Sequence, residues 1–236
     1  PSPVLYGDGA VAGVINITTD SRSSERETSI EAKAGSQNTF GASLYTKGVF
    51  ERDAVQYAAG YAFDSSDGYR DRSAWQIHKA NASLRKNFEN GSYAGVVANY
   101  GNSFYEMPGA LSHAAWRSGR KTAAYSDDWG RIWNAAAGID SKAKLAQDQW
   151  LYLDGRFSFQ HRTANWGDYH YANEYDLYGI FFSPRYVNEK PLWSKDNRFT
   201  AGVDIRFDQY EVEDNSGFNN PEYRFERLRA AAFAQD

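Results

Sequence analysis

The chain contains no cysteine, which excludes disulfide scaffolds, thiolate metal sites and thiol nucleophiles. It has no long apolar run either. Mean hydropathy is −0.70, and no stretch could serve as a transmembrane helix of about 20 residues. An excess of basic charge is also missing: 26 Lys and Arg face 30 Asp and Glu, for a net charge of −4. Phosphate backbones are bound by clustered Lys and Arg, so no nucleic-acid partner is expected. The chain begins at Pro1 with neither a charged n-region nor an apolar h-region, and it ends inside an apolar alternation. It reads as an internal piece of a longer protein. Helical periodicity is scarce throughout.

What is present is aromatic residues and period-two alternation. The 236 residues include 17 Tyr, 14 Phe and 7 Trp. In 151–159, Leu151, Leu153, Phe157 and Phe159 alternate with Tyr152, Asp154, Arg156 and Ser158. In 199–208, Phe199, Ala201, Val203, Ile205 and Phe207 alternate with Thr200, Gly202, Asp204, Arg206 and Asp208. The pattern predicts ten strands, near 27–35, 39–50, 53–64, 76–88, 92–102, 130–141, 148–161, 174–187, 197–210 and 223–235. Most of these runs exceed the five or six residues usual in a globular strand and suit the roughly 9–11 that cross a bilayer. Aromatics cluster near their ends, where interfacial girdles belong. Segments 50–53, 88–91 and about 142–147 read as turns, while 65–75, 103–129, 162–173 and 211–222 read as long polar loops. A medium link, 188–196, falls on the turn side. Long connections on one side and tight ones on the other predict an all-β, antiparallel transmembrane β-barrel, with long loops outside the cell and turns in the periplasm. Strand 174–187 is the least regular, and Pro184 within it calls for an edge, a bulge or a strand end.

Residues 1–20 form a Gly-punctuated turn followed by a short β-branched strand. Gly7, Gly9 and Gly13 permit close backbone approach, and Val14, Ile15 and Ile17 supply strand surface. No helix and no Lys-Ser/Thr follows, which argues against a phosphate loop. Through Leu5, Tyr6, Gly7, Ala10, Gly13, Val14, Ile15, Asn16, Ile17 and Thr19, the segment resembles the C-terminal end of the plug of TonB-dependent outer-membrane receptors. Ala12 replaces the first Gly of the usual pair. The resemblance continues through 39–50, 64–71 and 232–236.

The resemblance implies residues 1–20 as the end of the plug and 21–236 as the N-terminal portion of the barrel, about ten strands of a larger plugged cylinder. In the plug motif, Tyr6, Gly7, Gly9, Gly13 and Asn16 would be structural. It also implies import of a scarce ligand, such as a ferric siderophore or cobalamin, across a bacterial outer membrane. TonB would supply the energy through a segment absent from this chain, and lipid and lipopolysaccharide would surround the barrel. No enzyme activity, catalytic residue, cofactor or bound metal is expected. An omptin-like barrel enzyme and a passive porin remain alternatives, disfavoured by the plug-like segment.

Within the loops, aromatics stand beside cations. Tyr69 and Arg70, then Tyr105, Trp116 and Arg117, then Trp166 and His170 are the candidate ligand contacts, because π faces with cations suit flat, partly anionic ligands. Loop packing competes with that reading. His161, Asp168 and His170 could be composed into a metal site, but their loop spacing fixes no geometry. The inward charges Asp154, Arg156, Asp204, Arg206 and Asp208 are expected to pair with one another or with the plug.

Overall fold

The computed structural model describes residues 25–50, 55–167, 170–191, 193, 195–215 and 221–235. The plug-like residues Tyr6, Gly7, Gly9, Gly13 and Asn16, and residues 51–53 of the expected turn at 50–53, lie outside them. Ten strands form one antiparallel sheet in sequence order. They are β1 (Glu27–Gly35), β2 (Thr39–Phe50), β3 (Val55–Ser66), β4 (Trp75–Asn87), β5 (Tyr93–Glu106), β6 (Asp128–Ala146), β7 (Gln149–Trp166), β8 (Tyr171–Asn188), β9 (Phe199–Asn215) and β10 (Glu222–Gln235). Among the described residues a single short helix, α1 (His113–Ser118), interrupts them, with Ser112 as its N-cap accepting from the Ala115 amide.

Cross-strand partners share a face, so the register sorts every side chain. One face carries Leu44, Tyr61, Ala80, Tyr100, Ala135, Phe159 and Tyr178. The other carries Asn81, Asn99, Ala136, Ser158 and Asp208 in a continuous row. Among the described residues no second layer covers the apolar face. Ile180 is 52% exposed, Phe157 47% and Leu228 71%. Among the described residues, only Ala58, Ala164 and Val187 are buried hydrophobics. A water-soluble sheet would bury such a face against another element, whereas a barrel wall in a bilayer leaves it to hydrocarbon.

Aromatic rings run along the upper border of the apolar band. Tyr100 meets Trp133 at 6.1 Å, Trp133 meets Phe159 at 4.9 Å and Phe159 meets Tyr178 at 4.8 Å. The line of partners through Tyr61 passes Ala80, Tyr100, Ala135, Phe159 and Tyr178 and then reaches Gln209 and Glu226. Partners lie perpendicular to the strands. A line that starts at an aromatic border and ends at a carboxylate therefore climbs out of the bilayer, as strand tilt in a barrel requires.

The strands of the second half outrun their expected ends. β6 has 19 residues, β7 and β8 have 18 each, and β9 has 17. Parts of the expected loops 103–129, 162–173 and 211–222 are therefore strand. The cause is plain in the residues: beyond the aromatic border the outer face meets water, so Thr163, Glu174, Asp176, Glu211 and Glu213 break the apolar alternation without ending the ladder. β8 is also more regular than expected. Pro184 lies inside it opposite Leu153, and the pairing to β9 skips from Phe182 to Arg185, where proline has no N–H to give. The expected turn at 142–147 contracts to residues 147–148, with Asp148 at φ 59°.

The connections 88–92, 147–148 and 189–198 gather at one end. Lys144 N–H donates to Ser92 Oγ at 3.0 Å, and Glu189 N–H donates to the Asp148 carbonyl at 2.7 Å. Gly91 closes the 88–92 turn at φ 81°. At the other end lie the long 107–127 connection and the 67–74 connection, but also two short ones: the 36–38 turn, whose Gln37 carbonyl accepts from Asp67 N–H at 2.9 Å, and the 167–170 turn, much shorter than the loop expected at 162–173.

Candidate functional site

The seven loop candidates fall into two groups. The first is a cap made by the β3–β4 and β5–β6 connections. Arg70 donates to the carbonyls of Gly109 at 2.7 Å, Thr122 at 2.9 Å and Pro108 at 3.3 Å. Its guanidinium is thus spent on backbone, and it ties one loop to the other. Asp71 N–H adds a bond to the Lys121 carbonyl, and Lys121 Nζ lies 5.7 Å from the Tyr69 ring. Arg72 pairs with Glu106 at 2.6 Å and Asp127 at 3.7 Å. On α1, Trp116 carries His113 stacked at 6.3 Å and the Arg120 guanidinium at 4.5 Å. Tyr69 and Trp116 remain exposed. Arg117 closes the last turn of the helix.

The second group lies on the polar face, above the aromatic border. Tyr105 and Trp166 are strand residues there, not loop residues. Tyr105 lies over Gly130, where a Cβ would strike its ring. Trp166 pairs with both Asp128 and Tyr171. His170 sits in the turn between β7 and β8 at φ 53°, with Nδ1 2.9 Å from the Gly167 carbonyl.

Sequence reasoning missed the strand-borne aromatics beside them. Tyr175 stacks on Tyr210 at 6.0 Å with rings 17° apart, and Tyr210 meets Phe225 at 6.4 Å. Arg162 lies 6.0 Å from the Tyr175 ring. The signal was available in the period-two spacing of Tyr171, Asn173 and Tyr175, once the strand is extended past the bilayer. Burial pushes the Tyr171 phenol above its ordinary value, and the Asp214 carboxylate adds to the rise, against a hydrogen bond from Asn173. It therefore stays a neutral hydrogen-bond donor at physiological pH. Together these residues form an aromatic wall facing the barrel interior at its outer mouth.

The histidines do not converge. His161 is on the outer face of β7, with Nδ1 2.7 Å from Asp176 and Nε2 3.1 Å from Thr163 Oγ1. That is the order of a hydrolase relay, but the residues around Thr163 are committed to the ladders with β6 and β8. Asp168 lies outside the described residues. Among the described residues no cluster of three or more His, Asp and Glu side chains could hold a metal.

Lower on the polar face, the charges pair as expected. Arg156 meets Asp154 at 3.2 Å, and Arg206 and Arg229 meet Asp208 at 2.9 and 3.1 Å. Ser183 donates to Asp204 at 2.6 Å.

No protein-family model matches the chain, and no curated protein matches it by sequence. Solved structures do match. The ferric yersiniabactin uptake receptor of Yersinia pestis superposes with a TM-score of 0.71 at 14% identity, over 99% of this chain and 47% of the other. A ferric citrate transporter in its unliganded form gives 0.63 at 16%, over 88% and 34%. The ferripyoverdine receptor of the Pseudomonas aeruginosa outer membrane, bound to ferripyoverdine, gives 0.66 at 11%, over 86% and 30%. The chain thus spans between 30% and 47% of the length of these proteins. Its sheet has the fold of a TonB-dependent receptor barrel wall, here as an open arc of ten strands.

Proposed function

We propose that this chain is part of an outer-membrane receptor that imports a scarce ligand, a ferric siderophore first of all, with energy delivered through TonB. The observation that carries this reading is a sheet with an uncovered apolar face and a polar, aromatic-topped opposite face, in the fold shared with uptake receptors. Cobalamin, named by the sequence resemblance, has no counterpart among these neighbours. The neighbours are transport receptors, which supports a non-enzymatic role. Residues 1–20 would be the last plug segment, and lipid and lipopolysaccharide would meet the apolar face and the outer ends of the long strands.

In this reading the ligand rests between the inward wall (Tyr105, Trp166, Tyr175, Tyr210) and the cap that carries Tyr69 and Trp116, with His170 and Arg117 at the rim. Arg70 positions the cap and is not itself a ligand contact. The test is uptake of 55Fe by cells that express the complete protein in a strain lacking its own siderophore receptors. Ferric citrate, ferric yersiniabactin and ferripyoverdine would be offered separately. Import of one of them, abolished when TonB is deleted, is the expected result. Import that persists without TonB would favour the porin alternative.

A further inference from the structure

The apolar face is not evenly filled. One row of cross-strand partners runs through Ala59, Ala82, Ala98 and Ala137 before it reaches Phe157. The row on its periplasmic side holds Leu84, Val96 and Ile139. The row on its loop side holds Ala80, Tyr100, Ala135 and Phe159, where the aromatic border begins. Small side chains between larger ones leave an apolar groove of about 590 Å3 on β4–β8, bounded at one end by Phe157, Ile180 and Phe182. Arg156 borders it only from the strand backbone, because the register turns its side chain to the inner face. Past Phe157 the same row continues as Ile180, Phe207 and Leu228, so its small residues are confined to one side of the wall.

The outward residues above the border divide along the same line. Over the groove, His78 is held by Tyr61 and Gln76, and Glu106 by Arg72. Arg131 stands on the same face of β6 as Ala137, exposed, with its guanidinium 5.6 Å from the Phe104 ring. Among the described residues it meets no carboxylate. On β8–β10 the matching stretch is acidic. It carries Glu174, Asp176, Glu211, Glu213 and Glu226, and its Arg224 is already paired with Glu226 at 2.7 Å and Glu211 at 3.6 Å.

From this coincidence we infer that β4–β8 bind one anionic glycolipid of the outer leaflet, with an acyl chain in the groove and a phosphate at Arg131. Six residues of β6 separate Arg131 from Ala137, about 20 Å at the rise of a strand, a span of the order of an extended acyl chain. On β5 the groove lies two to four residues below Tyr100, about 7–13 Å along the strand. One leaflet contributes roughly 15 Å of hydrocarbon, so the chain that fills the groove descends from the loop side. Any lipid can wet an apolar wall, but a recess touches a chain on three sides and removes more of its surface from competing contacts. Arginine matches phosphate with two N–H donors, and the acidic border of β8–β10 repels the same headgroup. The inference rests on the outer-membrane reading above, with the long loops outside, and adds a fixed site to a face assigned there to lipid at large.

The complete protein, purified in a mild detergent, is titrated with lipid A and separately with phosphatidylglycerol, and bound lipid is counted by native mass spectrometry. One lipid A should bind well ahead of any further molecule. A98L/A137L, which fills the groove, and R131Q, which removes the cation, should each weaken that first binding about tenfold. A201L, on the lipid-facing side of β9, and E211Q should leave it unchanged. Equal weakening by A201L and A98L/A137L, or unchanged binding in R131Q, would overturn the site. Phosphatidylglycerol bound as tightly as lipid A would overturn it too, since the groove would then take any acyl chain. Heat-modifiable migration on gels shows that each variant is folded; if A98L/A137L is not, R131Q and the comparison of the two lipids decide. Lipid binding is read without transport. A protein that binds lipid A through Arg131 yet imports none of the three ferric chelates counts against the import reading alone, and one that imports but does not prefer lipid A counts against this site alone.

Discussion

The two faces of this sheet share one backbone and one register, yet they meet their polar groups in opposite ways. On the outer face, between Phe199 and Phe207 of β9, nothing polar is offered at all, and the large side chains stand exposed. On the inner face of the same strand, Asp204 and Asp208 each find a partner within 3 Å. Hydrocarbon accepts no unsatisfied charge, whereas a wet lumen tolerates charges and lets them pair. The difference ends at the aromatic border. Above it, on β8 and β9, carboxylates such as Asp176 and Glu211 appear on the outer face too. The contrast is therefore a property of the solvent at each height, and it marks where the bilayer stops.

The strongest way to break this contrast is to place a charge in the apolar band. Val203→Arg, at mid-strand on the outer face, should cost about 2–4 kcal/mol of barrel stability, and Ser158→Arg on the inner face less than about 1 kcal/mol, by denaturant titration in detergent or lipid. Equal losses would void the face assignment. Gly202, although inward, is a poor comparison site, because a Cβ there would lie 2.7 Å from the Phe233 ring and 2.8 Å from the Pro184 carbonyl oxygen.

A smaller effect should follow from breaking the inner pairing. Asp208→Ala leaves Arg206, Arg227 and Arg229 facing one another without their shared carboxylate. The expected loss is about 1–3 kcal/mol, below that of a fully buried ion pair because the lumen is wet. It should grow at low ionic strength, where the repulsion is less screened. A loss independent of salt would argue against charge pairing as the cause. The smallest global effect belongs to the cap. Arg70→Ala removes the donor that joins two loops through three carbonyls. Barrel unfolding should hardly change, but trypsin should cut at Arg117, Arg120 or Lys121 several-fold faster as the loop opens locally. Unchanged cleavage would mean that Arg70 does not hold the cap.

Much of this was legible in the sequence, and the misses have a common cause. All ten strands could be read, because in the bilayer the hydrocarbon imposes strict alternation on each of them. Boundaries failed where the bilayer ends: Trp166 and Tyr105 were read as loop residues, since alternation alone does not show a ladder that continues with polar residues on both faces. For the same reason the Tyr175–Tyr210–Phe225 stack was missed: the spacing of Tyr171, Asn173 and Tyr175 carries one strand of it, but the stack itself depends on the pairing of three strands. Arg70 carried the right composition for ligand contact, but its bonds to Pro108, Gly109 and Thr122 come from a second loop nearly forty residues away in the nearest case. Pro184 misled differently. It called for an edge, a bulge or a strand end; the residue lies inside β8, where the ladder to β7 continues and only the contact with β9 is lost locally.

The face assignment is most directly tested by a nitroxide scan along β9. Single cysteines from Phe199 to Asp208 would be spin-labelled one at a time in the complete, reconstituted protein, and collision rates measured with oxygen and with a water-soluble nickel chelate. Oxygen partitions into hydrocarbon, so its rate should peak at positions 201, 203, 205 and 207. The nickel chelate should peak at 202, 204 and 206, with a clear period of two. The opposite phase would place the charges of Asp204 and Arg206 in lipid, and a scan without period two would mean that β9 does not cross a bilayer as a barrel strand.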